Sequence, residues 1–169
     1  REGIRESLAI PSSSVVIGGS GSLAFRKGPD LFVQVAKRVI DLLPERDVRF
    51  LWVGGDSAST RFLLEEDARK VGLAGRVIFT ETVPNPMAYF QAFDVFLMTS
   101  REDPFPLVCL ENAQCGNPII CFADAIGSTE YIDDTCGHVS PFLDLEDMSR
   151  SVAAFVGDPH KVRRAGSEI

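Results

Sequence analysis

Short apolar runs alternate with amphipathic stretches along almost the whole chain. The apolar runs are typical of strands buried in a parallel sheet. They predict six strands, at residues 15–19, 48–53, 76–80, 94–98, 118–122 and 137–140. Apolar positions at helical spacing predict the helices that follow these strands. These helices are expected at residues 29–43, 60–71, 87–93, 107–115, 128–132 and 145–156.

The regular alternation of strands and helices indicates the fold class. It predicts an α/β protein with a doubly wound, Rossmann-like parallel sheet of about six strands and helices on both faces. In such sheets a ligand binds beyond the carboxyl ends of the strands. The loops that follow residues 19, 55, 80, 98, 122 and 140 are therefore where a site is expected.

Composition narrows the function classes. A chain of 169 residues suffices for one domain, and 45% hydrophobic residues exclude a disordered chain. The net charge of -7 argues against nucleic-acid binding, which rests on neutralising phosphates. No apolar run reaches the roughly 18 residues of a membrane span. Four cysteines without a Cys-x-x-Cys pair predict reduced thiols in a cytoplasmic protein and no zinc site.

The first predicted strand ends in a glycine-rich loop. Residues 19–24 read Gly-Ser-Gly-Ser-Leu-Ala and fit the dinucleotide fingerprint, which alone would suggest NAD. That fingerprint needs a helix that begins inside the motif and an acid about 20 residues on, at the end of the second strand. Here the helical pattern begins only at Pro29, and no acid stands at that place. A glycine loop that lets a phosphate approach the backbone is the favoured interpretation, and an NAD(P)-binding oxidoreductase domain is the alternative.

Two cations, Arg26 and Lys27, follow on the same loop, just before a helix N-terminus. Cations beside free helical amides suit a diphosphate. The alternative is a pair of solvated surface charges.

A second candidate segment runs from Asp103 to Glu111. It passes from a loop after the fourth strand into a helix, and helix rise separates the two carboxylates by on the order of 10 Å. This spacing is wide for a glycosidase pair. It suits the two ends of one extended ligand, with the phosphates between them near the helix N-terminus. The alternative is a solvated loop acid and an ordinary helix glutamate.

Residues 100–118 (SREDPFPLVCLENAQCGNP) resemble the E-x7-E signature of retaining family 4 (group 1) glycosyltransferases of the GT-B fold. Residues 15–32 are similar to their first strand and phosphate loop, and residues 124–141 to their Gly-x-x-Glu helix and next strand. The resemblance covers almost the whole chain. It extends only to the C-terminal, donor-binding half of such enzymes.

The resemblance implies roles for particular residues. Lys27 would neutralise the donor diphosphate with Arg26 beside it, and Asp103 would lie at the transferred sugar; these three are the catalytic candidates. Glu111 would bind the ribose hydroxyls. The other implied donor contacts are Gly19, Ser20, Gly21, Ser22, Glu81, Val83, Pro84, Glu102, Phe105, Leu107 and Val108.

The resemblance also implies a domain division and partners. Residues 1–13 would be the remnant of an interdomain linker, and residues 14–169 the donor domain. A preceding domain, expected before Arg1, would bind a saccharide or lipid acceptor and could touch a membrane. The donor would be a nucleoside diphosphate sugar, with no metal or other cofactor. A nucleotide-sugar-binding domain without catalysis is a further alternative.

This chain departs from the family pattern at three places. Ser22 stands where the family often has an arginine, so Arg26 is the candidate replacement. Asp103 stands where a glutamate is usual, and Glu102 lies one residue away, so either could be the sugar-side acid. Prolines at 104 and 106 replace glycines and remove two amide donors.

The remaining charged candidates are expected to be structural. His138 and His160 are predicted to be packing or surface residues. Lys161, Arg163 and Arg164 form a small basic end, which is expected to be a solvated helix face.

Overall fold

The computed structural model describes residues 1–133, 135–158 and 162. The strands are β1 (Val15–Ser20), β2 (Val48–Val53), β3 (Val77–Phe79), β4 (Val95–Met98), β5 (Ile119–Phe122) and β6 (Gly137–Ser140). The helices are α1 (Glu2–Ser7), α2 (Pro29–Leu42), α3 (Ala58–Lys70), α4 (Pro86–Phe90), α5 (Leu107–Gln114) and α6 (Leu145–Gly157). Two short 3-10 helices lie at Phe25–Lys27 and Gly127–Tyr131.

The six strands form one parallel sheet in the order β3-β2-β1-β4-β5-β6. Helix α2 packs against α3 and α6, while α4 packs against α5. Right-handed crossovers place these two groups on opposite faces of the sheet. The predicted fold class is therefore confirmed. The chain direction across the sheet reverses between β1 and β4, which is the place where open α/β sheets bind ligands.

The sheet is buried on both faces, which is why its strands read as continuous apolar runs. In β1 two glycines let aromatic rings pack directly on the backbone: a Cβ at Gly18 would overlap the Phe93 ring, and one at Gly19 would lie 2.7 Å from Trp52. Trp52 in turn contacts Phe32 of α2 edge to face, with ring centroids 5.2 Å apart. Strand β1 is thereby held tightly, and the loop at its carboxyl end starts from a fixed position.

The segment predicted as a linker remnant, residues 1–13, contains the short helix α1. Its Arg5 is buried and donates hydrogen bonds to the Ala92 and Ser14 carbonyls, and it pairs with Asp94 at 2.8 Å. These contacts lie 9 to 89 residues away in sequence, so the local pattern did not predict the helix. The division into linker and donor domain stays a prediction.

The C-terminal predictions fall partly outside the described residues. His160, Lys161, Arg163 and Arg164 lie there, so their roles stay untested. His138 is half-buried on β6 and contacts Asp147 at 2.8 Å, as expected for a packing residue. Within residues 1–133, 135–158 and 162, every helix is too short or too polar to cross a membrane.

Candidate functional site

The glycine loop after β1 lies at the carboxyl edge of the sheet and is fixed by β2. The Ser20 hydroxyl donates to the Val53 carbonyl at 3.0 Å, and the Gly21 amide donates to the same oxygen at 3.1 Å. The Trp52 indole donates to the Gly21 carbonyl at 3.0 Å. Gly21 has φ +143, which favours glycine. These contacts thus hold the loop in a defined conformation.

The glycine loop borders a cleft of about 330 Å³ between the ends of β1, β2 and β3. Ser20, Gly21 and Ser22 form one side, and Val83 lies among the residues of the other side. A second cleft of about 290 Å³ adjoins it and is lined by Glu81, which accepts two hydrogen bonds from Arg61 at 3.1 Å. The structure therefore brings the predicted phosphate loop and the predicted base-flanking residues to one place. Pro84 lies exposed on the same loop.

Lys27 reaches the adjacent part of this edge through the 3-10 helix Phe25–Lys27. Gly28 ends this turn at φ +69, and a Cβ there would overlap the Thr99 carbonyl oxygen. The Thr99 hydroxyl donates to the Gly28 carbonyl at 2.8 Å. Only a glycine allows the turn to lie this close to the end of β4. Helix α2 then begins at Pro29, outside the dinucleotide fingerprint, as the sequence predicted.

At the end of β4 the Lys27 ammonium forms an ion pair with the Asp103 carboxylate. The two side chains are only 14% and 11% exposed. The Asp103 amide donates to the Ala125 carbonyl at 2.8 Å, and Asp103 pairs with Ile126, so the loop after β5 fixes its backbone. A cation and a carboxylate 76 residues apart are thus held together with little water around them.

The pair has donor capacity left for a ligand. An ammonium carries three N–H donors and Asp103 takes one of them. In the weakly solvated pair the attraction between opposite charges is stronger than in bulk water. The Lys27 ammonium can therefore donate to a further acceptor while it keeps its bond to Asp103.

The structure distinguishes the two candidate acids. The Glu102 side chain is exposed, whereas Asp103 is buried against Lys27. Arg26 is exposed, and its guanidinium lies 3.5 Å from the Glu102 carbonyl oxygen. Asp103 is therefore the carboxylate of the pair, and Arg26 lies at the solvent side of the same loop.

Helix α5 begins at Leu107, four residues after Asp103, and the remaining predicted contacts lie on it or just before it. Pro106 supplies no side-chain cap, so the first-turn amides of Leu107 and Val108 face no capping group of their own helix. The side chains of Phe105 and Leu107 are 60% and 62% exposed. Glu111 lies one turn further along and is half-buried. The N-terminus of α5 thus presents uncapped backbone amides near the ion pair.

Cys109 and Cys121, near this edge, are buried. Burial raises the pKa of the Cys109 thiol well above its usual range, and the Cys121 and Asp103 charges add to the effect. Burial raises the pKa of Cys121 to about 12. A thiol that keeps its proton is inert at neutral pH. Among the described residues, His, Cys, Asp and Glu form no group of three that could hold a metal ion.

Sequence reasoning missed Arg101. Its guanidinium donates to both Asp30 carboxylate oxygens, at 2.9 and 2.8 Å, and to the Phe25 carbonyl at 2.7 Å. It also stacks on the Phe25 ring, 3.8 Å from the centroid. Burial would raise the pKa of Asp30, but the hydrogen bonds and charge of Arg101 outweigh it and hold that pKa below 3.8. In doubly wound sheets β1 and β4 are adjacent. This adjacency could have predicted that Arg101, which follows β4, lies near Asp30, which follows β1.

The chain matches known sequences over most of its length. The family described as Glycosyl transferases group 1 matches residues 1–168. The D-inositol 3-phosphate glycosyltransferase of Corynebacterium urealyticum is 36% identical over 124 residues, which is 70% of this chain and 29% of that protein. The O-antigen biosynthesis glycosyltransferase WclY of Escherichia coli is 31% identical over 116 residues, 69% of this chain and 31% of that protein. The chain thus spans about a third of the length of the curated relatives it matches.

Solved structures share the fold. Anabaena HepE, crystallised with UDP and glucose, has a TM-score of 0.86 at 20% identity, covering 98% of this chain and 45% of that one. The C-terminal domain of the group 1 protein LpcC from Francisella tularensis has a TM-score of 0.83 at 20% identity, covering 98% of this chain and 87% of that one. Such neighbours are GT-B glycosyltransferases. From the match over residues 1–168, we conclude that this chain belongs to the group 1 glycosyltransferase family.

Proposed function

We propose that this chain binds the nucleoside diphosphate sugar of a group 1 glycosyltransferase that transfers the sugar, with retention at the anomeric carbon, to a saccharide or lipid acceptor. The observation that carries the proposal is the buried Lys27–Asp103 pair beside the glycine-loop cleft. Structures of similar fold support the donor class, since HepE was crystallised with UDP-glucose and TarM with UDP and alpha-GlcNAc-glycerol.

The proposed donor pose follows the edge of the sheet. The base lies in the clefts between the glycine loop and residues 81–83, and Glu111 accepts hydrogen bonds from the ribose hydroxyls. The diphosphate lies between Lys27, with Arg26 at its solvent side, and the first-turn amides of α5. The transferred sugar lies next to the Asp103 carboxylate of the ion pair.

The chemical step moves negative charge onto the departing diphosphate while the sugar becomes oxocarbenium-like. Lys27 and the α5 amides are already in place where that negative charge develops, so they stabilise it without reorganisation. The Asp103 carboxylate stabilises positive charge on the sugar side. Because these groups balance both charges, we propose that the reaction needs no metal ion.

The acceptor is assigned to the rest of the enzyme. The matched segments are only 29% and 31% of two such relatives, whose names are D-inositol 3-phosphate glycosyltransferase and O-antigen biosynthesis glycosyltransferase. We therefore propose that these 169 residues bind only the donor.

A ligand-detected NMR screen tests the proposal. The probes are UDP, GDP, ADP, their common sugars and NAD, each with EDTA and again with Mg²⁺. We expect saturable binding of at least one nucleoside diphosphate and no preference for NAD. Saturable binding of NAD alone would contradict the glycosyltransferase assignment, and binding only with Mg²⁺ would contradict the metal-free diphosphate site.

A further inference from the structure

Arg101 connects the two chain segments that form the ion pair. Its guanidinium bonds to residues on both sides of Lys27, namely the Phe25 carbonyl at 2.7 Å and the Asp30 carboxylate at 2.9 and 2.8 Å. Its own amide donates to the Arg26 carbonyl at 2.7 Å. Two residues further along the same loop is Asp103, the partner of Lys27. One residue thus fixes the turn that bears the cation to the loop that bears the carboxylate.

The turn that carries Lys27 depends on such a contact. It is a 3-10 helix of three residues, and Phe25 within it is 72% exposed. A single turn forms too few hydrogen bonds of its own to hold one conformation. The Arg101 guanidinium covers one face of the Phe25 ring, 3.8 Å from its centroid. It therefore supplies both a fork of hydrogen bonds and a stacking surface, which lysine could not supply together.

The guanidinium of Arg101 is occupied by the protein. Both terminal nitrogens donate to Asp30, one of them also to the Phe25 carbonyl, and one guanidinium face lies on a ring. The side chain is 17% exposed. Three of the five N–H donors of Arg101 are thus used within the protein, so at most two remain for a phosphate.

We propose that Arg101 is a positioning residue that, braced by Asp30, holds the Lys27 turn in register with Asp103 so that the cation meets the donor diphosphate. This inference rests on the proposed function. It assigns to Arg101 an effect that is exerted through Lys27 and not by contact with the donor.

The test is isothermal titration of UDP, GDP and ADP, each beside its matching nucleoside. The proteins are wild type, Arg101→Ala, Arg101→Lys, Asp30→Asn, Lys27→Ala and the Lys27→Ala/Arg101→Ala double variant. Arg150→Ala is the matched control, because it removes an arginine from an exposed pair with Glu146 on α6. Arg101→Ala should weaken diphosphate binding by roughly three- to thirtyfold, the range of coupling between residues in contact. Binding of the nucleosides, and of all ligands to Arg150→Ala, should stay unchanged.

Two variants separate positioning from direct contact. Asp30→Asn leaves the Arg101 charge in place but weakens its brace, so it should weaken diphosphate binding as Arg101→Ala does. In the Lys27→Ala background, Arg101→Ala should have no further effect on the diphosphate. Arg101→Lys should recover only part of the affinity, and with Asp30→Asn it keeps the test decisive if Arg101→Ala does not fold.

Three results would overturn the inference. Unchanged diphosphate binding by Arg101→Ala would show that the turn needs no brace. Tighter binding by Asp30→Asn, or a full Arg101→Ala effect without Lys27, would make Arg101 a direct ligand. Equal loss of nucleoside and diphosphate would indicate a general structural role. Absence of diphosphate binding by the wild type is distinguishable, because it overturns the proposed function as well.

Discussion

Lys27 and Asp103 concentrate the candidate chemistry in one pair of side chains. Each is more than four-fifths buried, so their charges are screened far less than those of a surface pair. Of the two candidate acids, Asp103 pairs with Lys27 and is buried, whereas its neighbour Glu102 is exposed. We therefore expect this pair to affect binding of the phosphates and not binding of the base and ribose.

Lys27→Ala should weaken binding of a nucleoside diphosphate by roughly 1.5 to 3 kcal/mol, the usual size of a charge-assisted contact. Nucleoside binding should change little, because the base and ribose are held elsewhere. Calorimetric titration measures both. Lys37→Ala is the control, since it removes a lysine from an exposed pair with Asp41. Equal losses for nucleoside and diphosphate would remove Lys27 from the phosphate site, and a larger effect of Arg26→Ala would move the main cation there.

Asp30 should make the fold sensitive to acid. Arg101 holds the pKa of Asp30 below 3.8 in the folded chain, despite the opposing effect of burial, whereas the unfolded chain has the ordinary value. A lowered folded pKa means that its stabilisation is present above pH 3.8 and is lost as the pH falls below it. Because the Asp30 side chain is 39% exposed, the effect should be at most about 1 kcal/mol. Urea unfolding between about pH 3 and pH 6, a range that brackets the start of this loss, should show a shallower pH dependence for Asp30→Asn than for wild type.

Among the elements, the turn between β1 and α2 positions the site. It passes so close to the end of β4 that Gly28 has no room for a Cβ beside the Thr99 carbonyl. Its φ of +69 is a second reason for glycine at this position. The short loop is therefore packed directly against the end of β4.

Gly28→Ala should lower the free energy of unfolding by about 2 to 5 kcal/mol, because left-handed strain and overlap with a backbone oxygen add. Gly72→Ala is the matched control: φ there is +82, but no atom lies within 4 Å of an added Cβ. It should cost only the strain, about 1 to 2 kcal/mol. Urea denaturation of both variants gives the comparison, and equal losses would mean that the approach to Thr99 is not tight.

How far the sequence predicted each element depended on whether its contacts are local. All six strands were predicted within one or two residues, because strands buried on both faces read as apolar runs. Helix α1 was not, because six residues show no helical period and its anchor Arg5 binds groups near Asp94. The residues of the candidate site were predicted from motifs, but the Lys27–Asp103 contact and the Arg101 brace depend on strand order. They span more than 70 residues of sequence and became visible only in the folded sheet.

At the scale of the whole molecule, the candidate site lies along one edge of the sheet. The sheet brings the ends of β1, β2 and β3 around the clefts, and the end of β4 with α5 around the ion pair. The proposed donor binding is compatible with a net charge of -7, because the cations Lys27 and Arg26 lie at the proposed phosphate site. The acceptor is proposed to bind outside these 169 residues.

The chain of 169 residues should therefore bind donor without transferring sugar. Holding two reactants in register is worth roughly 7 to 11 kcal/mol of barrier, and a surface that holds only the donor cannot supply it. The assay compares this chain with a full-length family enzyme that contains it, using one donor and a panel of saccharide and lipid acceptors. Slow donor hydrolysis at most is expected from the chain alone. Transfer at a rate near that of the longer protein would refute the assignment of the acceptor to other segments.

The central claim is that a nucleoside diphosphate binds across the glycine loop, Lys27 and the start of α5. Amide chemical-shift mapping during titration with UDP, GDP or ADP tests it most directly, because it locates the ligand as well as detecting it. We expect shifts at Gly21, Lys27 and Val108 that saturate together, with little change along β6 or α1. Saturable shifts confined to another surface, or produced by NAD and by none of the diphosphates, would contradict it.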